Sequence, residues 1–266
     1  MSGDVIPRTA EKNGKLWGAK AQDWADIQEG MVRPAFLAAL DRTKVEAGTR
    51  YLDVGCGAGM AAAIAANRGA EVSGIDAAEE LLAVARTRSP DADFQHGDIE
   101  ELPYSDNSFD VVTGFNSFQY AGNPVAALTD ARRVTKTGGA VLIVTWGEPE
   151  GMEAAALIGA IKTLLPPPPP GAPGPFALSD EAMLRGFASD AGLKPLEVFD
   201  VDCPWHYPDE ATALKGLASS GVSVLAINTS GEAAVMDTNA KALEAFRQDD
   251  GSYLIGATFR CLMAEA

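Results

Sequence analysis

The sequence is poor in positive charge and in cysteine, and both shortages narrow what the protein can do. Its 266 residues include 21 Lys and Arg against 37 Asp and Glu, a formal net charge of −16. A surface this acidic repels phosphate backbones and anionic lipids, so we expect neither nucleic acid nor a membrane as a partner. The three cysteines, Cys56, Cys203 and Cys261, are far apart, which favours free thiols in a reducing cytoplasm over disulfides.

Long apolar runs are missing too. No stretch approaches the length of a membrane span, and residues 1–12 are polar and lack the apolar core of a signal peptide. We therefore expect a cytoplasmic protein. A hydrophobic content of 47% is enough for one sizeable core, which favours a single catalytic domain with an added subdomain over two independent domains.

The most informative stretch is TRYLDVGCGAGM, residues 49–60. An apolar run ends near Asp53, and Gly55, Gly57 and Gly59 then alternate with other residues before an alanine-rich segment. This order predicts a strand, a sharp turn and the start of a helix. Glycine suits such a turn because it accepts positive φ and lets a ligand approach the backbone. The N–H groups at the start of the helix would point towards that ligand.

Two cofactor classes use a glycine-rich turn of this kind. The dinucleotide pattern requires a further glycine after Gly59, where this chain has Ala61 and Ala62. In addition, a carboxylate at Asp53 repels a pyrophosphate and attracts an ammonium or sulfonium group. A nicotinamide oxidoreductase is therefore disfavoured, although it remains a third hypothesis.

Residues 51–59 closely resemble the first motif of the class I S-adenosylmethionine (SAM) methyltransferases. Asp76 ends the next predicted strand, about 20 residues after the turn, where an acidic side chain accepts hydrogen bonds from ribose hydroxyls. The alternative for Asp76 is a helix N-cap. Residues 92–104 and 106–112 resemble the third and fourth motifs, which implies that Asp98 receives the adenine amino group and that the Ile99 backbone addresses the ring.

The resemblance continues to strand five and covers about residues 48–147. It places Asn116, after the fourth strand, near the methionine part of SAM. It implies a Rossmann-like α/β fold with a seven-stranded sheet, helices on both faces, and strands six and seven antiparallel. The cofactor-binding residues that it implies are Asp53, Gly55, Cys56, Gly57, Gly59, Asp76, Ala77, Asp98, Ile99 and Asn116.

We divide the chain into five segments. They are an N-terminal helical cap (1–47), the SAM-binding core (48–147), a segment with a helix, a proline-rich loop, a helix and strand six (148–203), a helical insert (204–250) and the last strand (251–266). We interpret the insert, together with the cap, as a lid over the acceptor. Five consecutive prolines predict an extended polyproline II spacer within residues 166–175.

The periodicity and the turn residues also place the individual elements. The first helix is predicted to begin at about residue 15. Further helices are predicted over residues 34–45, 59–68, 78–89, 124–134, 153–165, 179–191 (with Ser179 as N-cap), 209–219 and 233–246. Strands are predicted near 49–54, 70–76, 92–97, 111–115, 140–146, 194–203 and 252–263.

The acceptor pocket is predicted from residues that follow strand ends or lie in the flanking helices: Trp17, Phe118, Gln119, Tyr120, Trp146 and His206. For Trp17, Phe118 and Tyr120 the alternative is ordinary core packing. A base is needed only if the acceptor must lose a proton. His206 is the candidate, with a polar turn residue as its alternative, and Tyr120 and Asp202 are weaker ones. No metal site is expected.

The leading hypothesis is therefore a SAM-dependent methyltransferase acting on a small-molecule acceptor, as a monomer or homodimer, with S-adenosylhomocysteine (SAH) as product. A SAM-binding protein of the same fold that does not transfer methyl, such as a cyclase or a regulatory binder, is the alternative.

Overall fold

The structure is a computed structural model, and it describes residues 8–167 and 174–266. In this part of the chain a seven-stranded sheet has the order β3-β2-β1-β4-β5-β9-β6. Its strands are β1 (Arg50–Val54), β2 (Glu71–Asp76), β3 (Asp93–His96), β4 (Phe109–Phe115), β5 (Thr135–Trp146), β6 (Lys194–Asp202) and β9 (Thr258–Glu265). A separate two-stranded sheet pairs β7 (Trp205–Tyr207) with β8 (Tyr253–Ile255).

The strand order determines where a ligand can bind. β1 pairs in parallel with β2 on one side and with β4 on the other, so the chain changes direction across the sheet between β1 and β4. Open parallel sheets bind ligands at such a switch point, beyond the carboxyl ends of the strands. β9 runs antiparallel between β5 and β6. The predicted fold class is confirmed.

Helices cover both faces of the sheet. The described helices are α1 (Ala10–Gly18), α2 (Ala21–Asp23), α3 (Arg33–Arg42), α4 (Met60–Asn67), α5 (Glu79–Arg88), α6 (Pro124–Val134), α7 (Ala154–Lys162), α8 (Glu181–Asp190), α9 (Glu210–Leu217), α10 (Gly221–Ser230) and α11 (Glu232–Leu243). Buried side chains of α6 and α8 pack on one face of the central strands. Those of α3, α4 and α5 pack on the other. β1 is therefore enclosed from both sides.

The N-terminal cap is more continuous than predicted. Helix α1 begins at Ala10, before the predicted start at about residue 15; residues 1–7 lie outside the described range. After α2 the backbone forms a π-helix (Trp24–Gln28) and then a 3₁₀ helix (Glu29–Val32). π-Helical turns are rare and are enriched at functional sites.

Two predictions in the C-terminal part were wrong. No helix was predicted between residues 219 and 233, but residues 221–230 form α10. Ser220 is its N-cap residue and accepts a hydrogen bond from the Ser223 N–H, so the polar residue starts a helix instead of breaking one. The predicted last strand is divided at Gly256, whose carbonyl accepts from Ala154 N–H (2.9 Å). Its first part, β8, pairs with β7.

Smaller differences concern the residues at which helix α8 and strand β5 begin. Asp180, not Ser179, caps α8, since its side chain accepts from the Met183 N–H (2.9 Å). Ser179 instead donates its hydroxyl to the Trp146 carbonyl (2.9 Å). β5 begins at Thr135, before the predicted strand start near residue 140. Of the predicted polyproline segment, residues 168–173 lie outside the described part.

Within residues 8–167 and 174–266, none of the helices has the length and apolar character that crossing a bilayer requires.

Candidate cofactor and acceptor site

The glycine turn between β1 and α4 has the backbone that its sequence predicts. Gly55, Gly57 and Gly59 all have positive φ, at 75°, 54° and 79°. A Cβ on Gly55 would lie 2.4 Å from the Ser117 Cβ, and one on Gly59 would lie 2.7 Å from the Ala85 Cβ. At Gly57 the nearest atom would be the Trp24 indole nitrogen at 3.9 Å. The turn is therefore close-packed at its ends, and its middle leaves room beside the backbone.

Asp76 at the end of β2 is tied to this turn. Its Oδ2 accepts a hydrogen bond from Gly57 N–H and its Oδ1 accepts one from Ala78 N–H, both at 2.8 Å. Burial raises the pKa of the carboxyl, while the hydrogen bonds from Ala78, Gly57 and Ala77 oppose that rise. The N-cap residue of α5 is Ala78. Each oxygen keeps a second lone pair, so Asp76 can also accept from ribose hydroxyls.

Asp53 lies inside the sheet at the end of β1 and is 2% exposed. The Thr113 hydroxyl donates to its Oδ1 (3.0 Å) and itself lies 2.6 Å from the Tyr51 hydroxyl. Burial raises the pKa of Asp53 to about 7; the bond from Thr113 opposes the rise, and the charges of Glu29 and Asp76 add to it. A cation beside Asp53 would lower this pKa again, because it favours the ionised form of the carboxyl.

Glu29 and Arg88 also contact the turn, and neither was predicted from the sequence. Glu29 is 4% exposed; one of its oxygens accepts from Met60 N–H (3.1 Å) and the other pairs with Arg88. Burial raises the pKa of Glu29 and Arg88 counteracts the rise. Arg88 also donates to the carbonyls of Ala58 (2.9 Å) and Ala25 (2.8 Å). No pattern marks these two, since a charge in a helical segment usually indicates a solvated face.

Asp98 provides the sharpest test of whether a cofactor fits. Its Oδ1 accepts from Glu100 N–H at 2.9 Å. Its Oδ2 is buried and has no hydrogen-bond partner among the described residues. Buried polar atoms are almost always paired, so an unpaired one indicates a missing partner. An amino group, as on adenine, would satisfy it. The next residue, Ile99, is partly buried against the core.

The segment after β4 is held in an unusual conformation. Asn116 has a φ of 53°, in the left-handed region, and its N–H donates to the Val144 carbonyl at 2.8 Å. Its side-chain oxygen accepts from the Gln119 amide, and the Ser117 hydroxyl donates to the Val54 carbonyl at 2.6 Å. Strained backbone of this type is frequent at functional sites. The segment is thereby fixed beside the end of β1.

The predicted pocket residues separate into two groups. The Trp17 ring meets Tyr120 edge to face at 5.7 Å between centroids, and Trp24 at 4.9 Å. Asn13 and Thr9 donate to the Tyr120 carbonyl at 2.8 and 2.9 Å. The N-terminal cap thus packs on the segment after β4.

Phe118 and His206 lie elsewhere. Phe118 is 1% exposed and packs in the core, which agrees with its packing alternative and leaves no side-chain surface for an acceptor. His206 is exposed on β7, on the opposite side from the buried Trp205 and Tyr207. Its role as a base stays a prediction, and this position does not support it. Trp146 stacks on Phe259 at 4.6 Å.

The Cys56 side chain is buried beside the turn, and burial raises the pKa of its thiol. A protonated, buried thiol is a packing residue and not a nucleophile. In the part of the chain that the structure describes, no group of three or more His, Cys, Asp or Glu side chains could hold a metal ion.

Comparison with known proteins identifies relatives of the chain. A family profile described as "Methyltransferase domain" matches residues 52–143. A demethylmenaquinone methyltransferase from Renibacterium salmoninarum is 32% identical over 149 residues, 56% of this chain and 58% of that protein. A ubiquinone biosynthesis O-methyltransferase from Xanthomonas oryzae pv. oryzae is 33% identical over 165 residues, 56% of this chain and 68% of the relative. The chain thus spans less than two thirds of the first relative.

The fold also matches solved structures. A putative methyltransferase from Haloferax volcanii, in complex with the Trm112 methyltransferase activator, superposes with a TM-score of 0.60 over 97% of both chains at 20% identity. At that identity the likeness shows the fold alone.

Proposed function

Because the chain belongs to the class I SAM-dependent methyltransferases, in the methyltransferase type 11 branch, we propose that it transfers a methyl group from SAM to a small-molecule acceptor and releases SAH. The observation that carries the cofactor assignment is the buried, unpartnered Oδ2 of Asp98. It lies in the segment after β3, at the carboxyl edge of the sheet, where Asp76 and the glycine turn also lie.

These residues match the chemistry of SAM from one end to the other. Asp98 would accept from the adenine amino group and Asp76 from the ribose hydroxyls. The glycine turn allows close approach, and Asn116 would face the methionine part. Asp53, once ionised, would place a negative charge beside the turn, which suits the ammonium and sulfonium groups, whereas the charge of Glu29 is already balanced by Arg88. The remaining predicted contacts are the backbones of Cys56, Ala77 and Ile99.

Bound SAM supplies an electrophilic methyl group on a sulfonium centre, and in-line transfer disperses the positive charge. The protein then has to align the acceptor and exclude water, which is worth roughly 7–11 kcal/mol. Trp17, Gln119 and Tyr120 are the side chains that we propose for this task. Burial raises the pKa of Tyr120 to about 12, so at neutral pH its hydroxyl is protonated and serves as a donor, not as a base.

The relatives and the surface charge support a small aromatic acceptor. One matched relative is named a demethylmenaquinone methyltransferase and the other a ubiquinone biosynthesis O-methyltransferase, and the aromatic side chains of Trp17, Tyr120 and Trp146 would suit a small aromatic acceptor. A net charge of −16 disfavours a polyanion. We propose that the protein works in the cytoplasm, as a monomer or homodimer, with the cap and the insert as its lid.

Calorimetric titration with SAH tests the proposal. We expect wild type to bind SAH with micromolar affinity and Asp76→Ala to weaken binding by at least tenfold, since the loss of hydrogen bonds to a charged group costs about 1.5–3 kcal/mol. Asp190→Ala is the matched control, because this aspartate is exposed at the end of α8. If wild type does not bind SAH at millimolar concentration, the proposed function is wrong.

A further inference from the structure

Two consecutive residues of the cap contact two different parts of the molecule. Gln28 ends the π-helix, and its Oε1 accepts a hydrogen bond from the Tyr207 hydroxyl at 2.7 Å. Both side chains are buried, at 7% and 0% exposure. Tyr207 belongs to β7 in the insert, and β7 pairs only with β8 in the described residues. Gln28 therefore provides a polar contact between the cap and this hairpin.

The next residue, Glu29, contacts the glycine turn. It accepts from Met60 N–H at the start of α4 and pairs with Arg88, which also donates to the carbonyls of Ala58 and Ala25. Arg88 thus joins the turn, the cap and α5. A shift of the turn would move Glu29 with it, because separating the buried Glu29 carboxylate from Arg88 would cost considerable free energy.

Helix α9 packs so closely against the cap and β7 that these three elements cannot move independently. Gly216 on α9 lies so close to the cap that a Cβ there would come within 2.7 Å of Ile27 Cγ2 and 3.1 Å of Gln28 Oε1. It would also lie 3.2 Å from the Tyr207 ring. Ile27, Gln28 and Tyr207 therefore meet α9 in one close-packed contact. Packing of this density transmits a displacement instead of absorbing it.

We propose that Gln28 and Glu29 are positioning residues that couple the glycine turn to the β7–β8 hairpin, so that occupation of the cofactor site orders this part of the lid. The inference rests on the proposed function, because it takes SAH as the ligand of the turn. By reciprocity, an acceptor held under the ordered hairpin strengthens cofactor binding by the same factor. The π-helix and 3₁₀ helix that meet at residues 28 and 29 are the backbone element that changes.

Hydrogen exchange of the full-length protein with and without saturating SAH measures this coupling. In wild type we expect SAH to slow exchange of the amides in β7 and β8 by about tenfold, within the usual range of coupling between sites. In Tyr207→Phe the slowing should fall below about threefold, although calorimetry still shows SAH bound. A residue with a merely structural role would change exchange equally with and without SAH.

Tyr253→Phe is the matched control. Tyr253 lies directly opposite Tyr207 in the hairpin, and its hydroxyl has no hydrogen-bond partner in residues 8–167 and 174–266. This variant should keep the response of wild type. If Tyr207→Phe fails to fold, Gly216→Ala replaces it, because the added methyl group separates α9 from the cap without removing a polar group.

The outcomes are distinct. Bound SAH with no change in hairpin exchange in wild type overturns the coupling, as does an unchanged response in a folded Tyr207→Phe or Gly216→Ala. A wild type that does not bind SAH at all overturns the proposed function instead.

Discussion

At the scale of single residues, Asp53 illustrates how a binding site costs stability. Its carboxyl is buried with one neutral donor, Thr113, and with Glu29 and Asp76 nearby. A pKa raised from 3.8 to about 7 corresponds to about 4 kcal/mol against ionisation in the folded, ligand-free protein. Binding of a cation would recover part of this energy. The unfavourable burial of Asp53 is therefore explained by its proposed role in ligand binding and not by a role in folding.

This carboxyl has a direct consequence for stability against pH. Because the native state binds the proton more tightly than the unfolded chain, the contribution of Asp53 to the free energy of unfolding falls as pH rises from about 4 to about 7. Asp53→Asn keeps the acceptor for Thr113 and removes the charge. We expect the variant to exceed wild type in stability at about pH 8 by up to about 4 kcal/mol and to match it near pH 4. Urea denaturation at both pH values measures this, and a variant less stable than wild type at pH 8 would contradict it.

The unpartnered oxygen of Asp98 leads to a second prediction. Asp98→Asn preserves Oδ1 for Glu100 N–H and replaces Oδ2 by a group that cannot accept. The affinity for SAH should fall roughly tenfold to a hundredfold, because a hydrogen bond to a charged acceptor is worth about 1.5–3 kcal/mol. Thermal stability without ligand should stay the same or rise, since no intramolecular bond to Oδ2 is lost. A large fall in ligand-free stability would show that Oδ2 has a structural partner.

At the scale of elements, the glycine turn depends on its packing as much as on its φ angles. A methyl group on Gly59 would require a left-handed backbone and would lie 2.7 Å from Ala85 on α5. The added methyl group therefore disturbs the packing of α4 on α5 and also the backbone of the turn that is proposed to bind the ligand.

We expect Gly59→Ala to lower the free energy of unfolding by about 1–3 kcal/mol through overpacking and to abolish detectable SAH binding. Gly186→Ala is the control: this glycine lies within α8 and its Cβ would meet no atom within 4 Å. That variant should gain about 0.5–1 kcal/mol, because alanine favours the helix. Chemical denaturation of both variants checks the prediction, and equal effects would refute the packing argument.

At the scale of the whole molecule, the cap and the insert pack against each other. Trp17 is central to this contact: a Cβ on Gly221 at the start of α10 would lie 2.7 Å from its ring. Exposed ion pairs, Lys20–Glu232 at 2.7 Å and Lys215–Asp23 at 2.9 Å, lie at the rim and contribute little.

Ligand selectivity is the prediction at this scale. SAH at about 100 times its dissociation constant should stabilise the folded protein by about 2.7 kcal/mol, which raises the melting temperature by roughly 5–10 °C for a chain of this size. NAD at the same concentration should leave it unchanged, because Asp53 repels a pyrophosphate. Differential scanning fluorimetry compares the two ligands. A shift with NAD and none with SAH would favour the oxidoreductase hypothesis.

The amino-acid sequence by itself determined the parts of the protein that depend on local chemistry. The apolar runs, the turn with Gly55, Gly57 and Gly59 and the carboxylates at two strand ends predicted the individual strands and helices, and the resemblance of these motifs to the class I methyltransferases implied the α/β fold and a shared cofactor for Asp53 and Asp76. These features can be predicted because φ preferences and strand direction act over a few neighbouring residues.

Only the tertiary structure decided what lies against that turn. The pairing of Glu29 with Arg88, and of Gln28 with Tyr207, brings together residues 59 and 179 positions apart. Phe118 packs in the core, and His206 faces outward because β7 pairs with β8. No local pattern indicates such contacts, since whether a polar side chain is buried or solvated depends on which distant segment covers it.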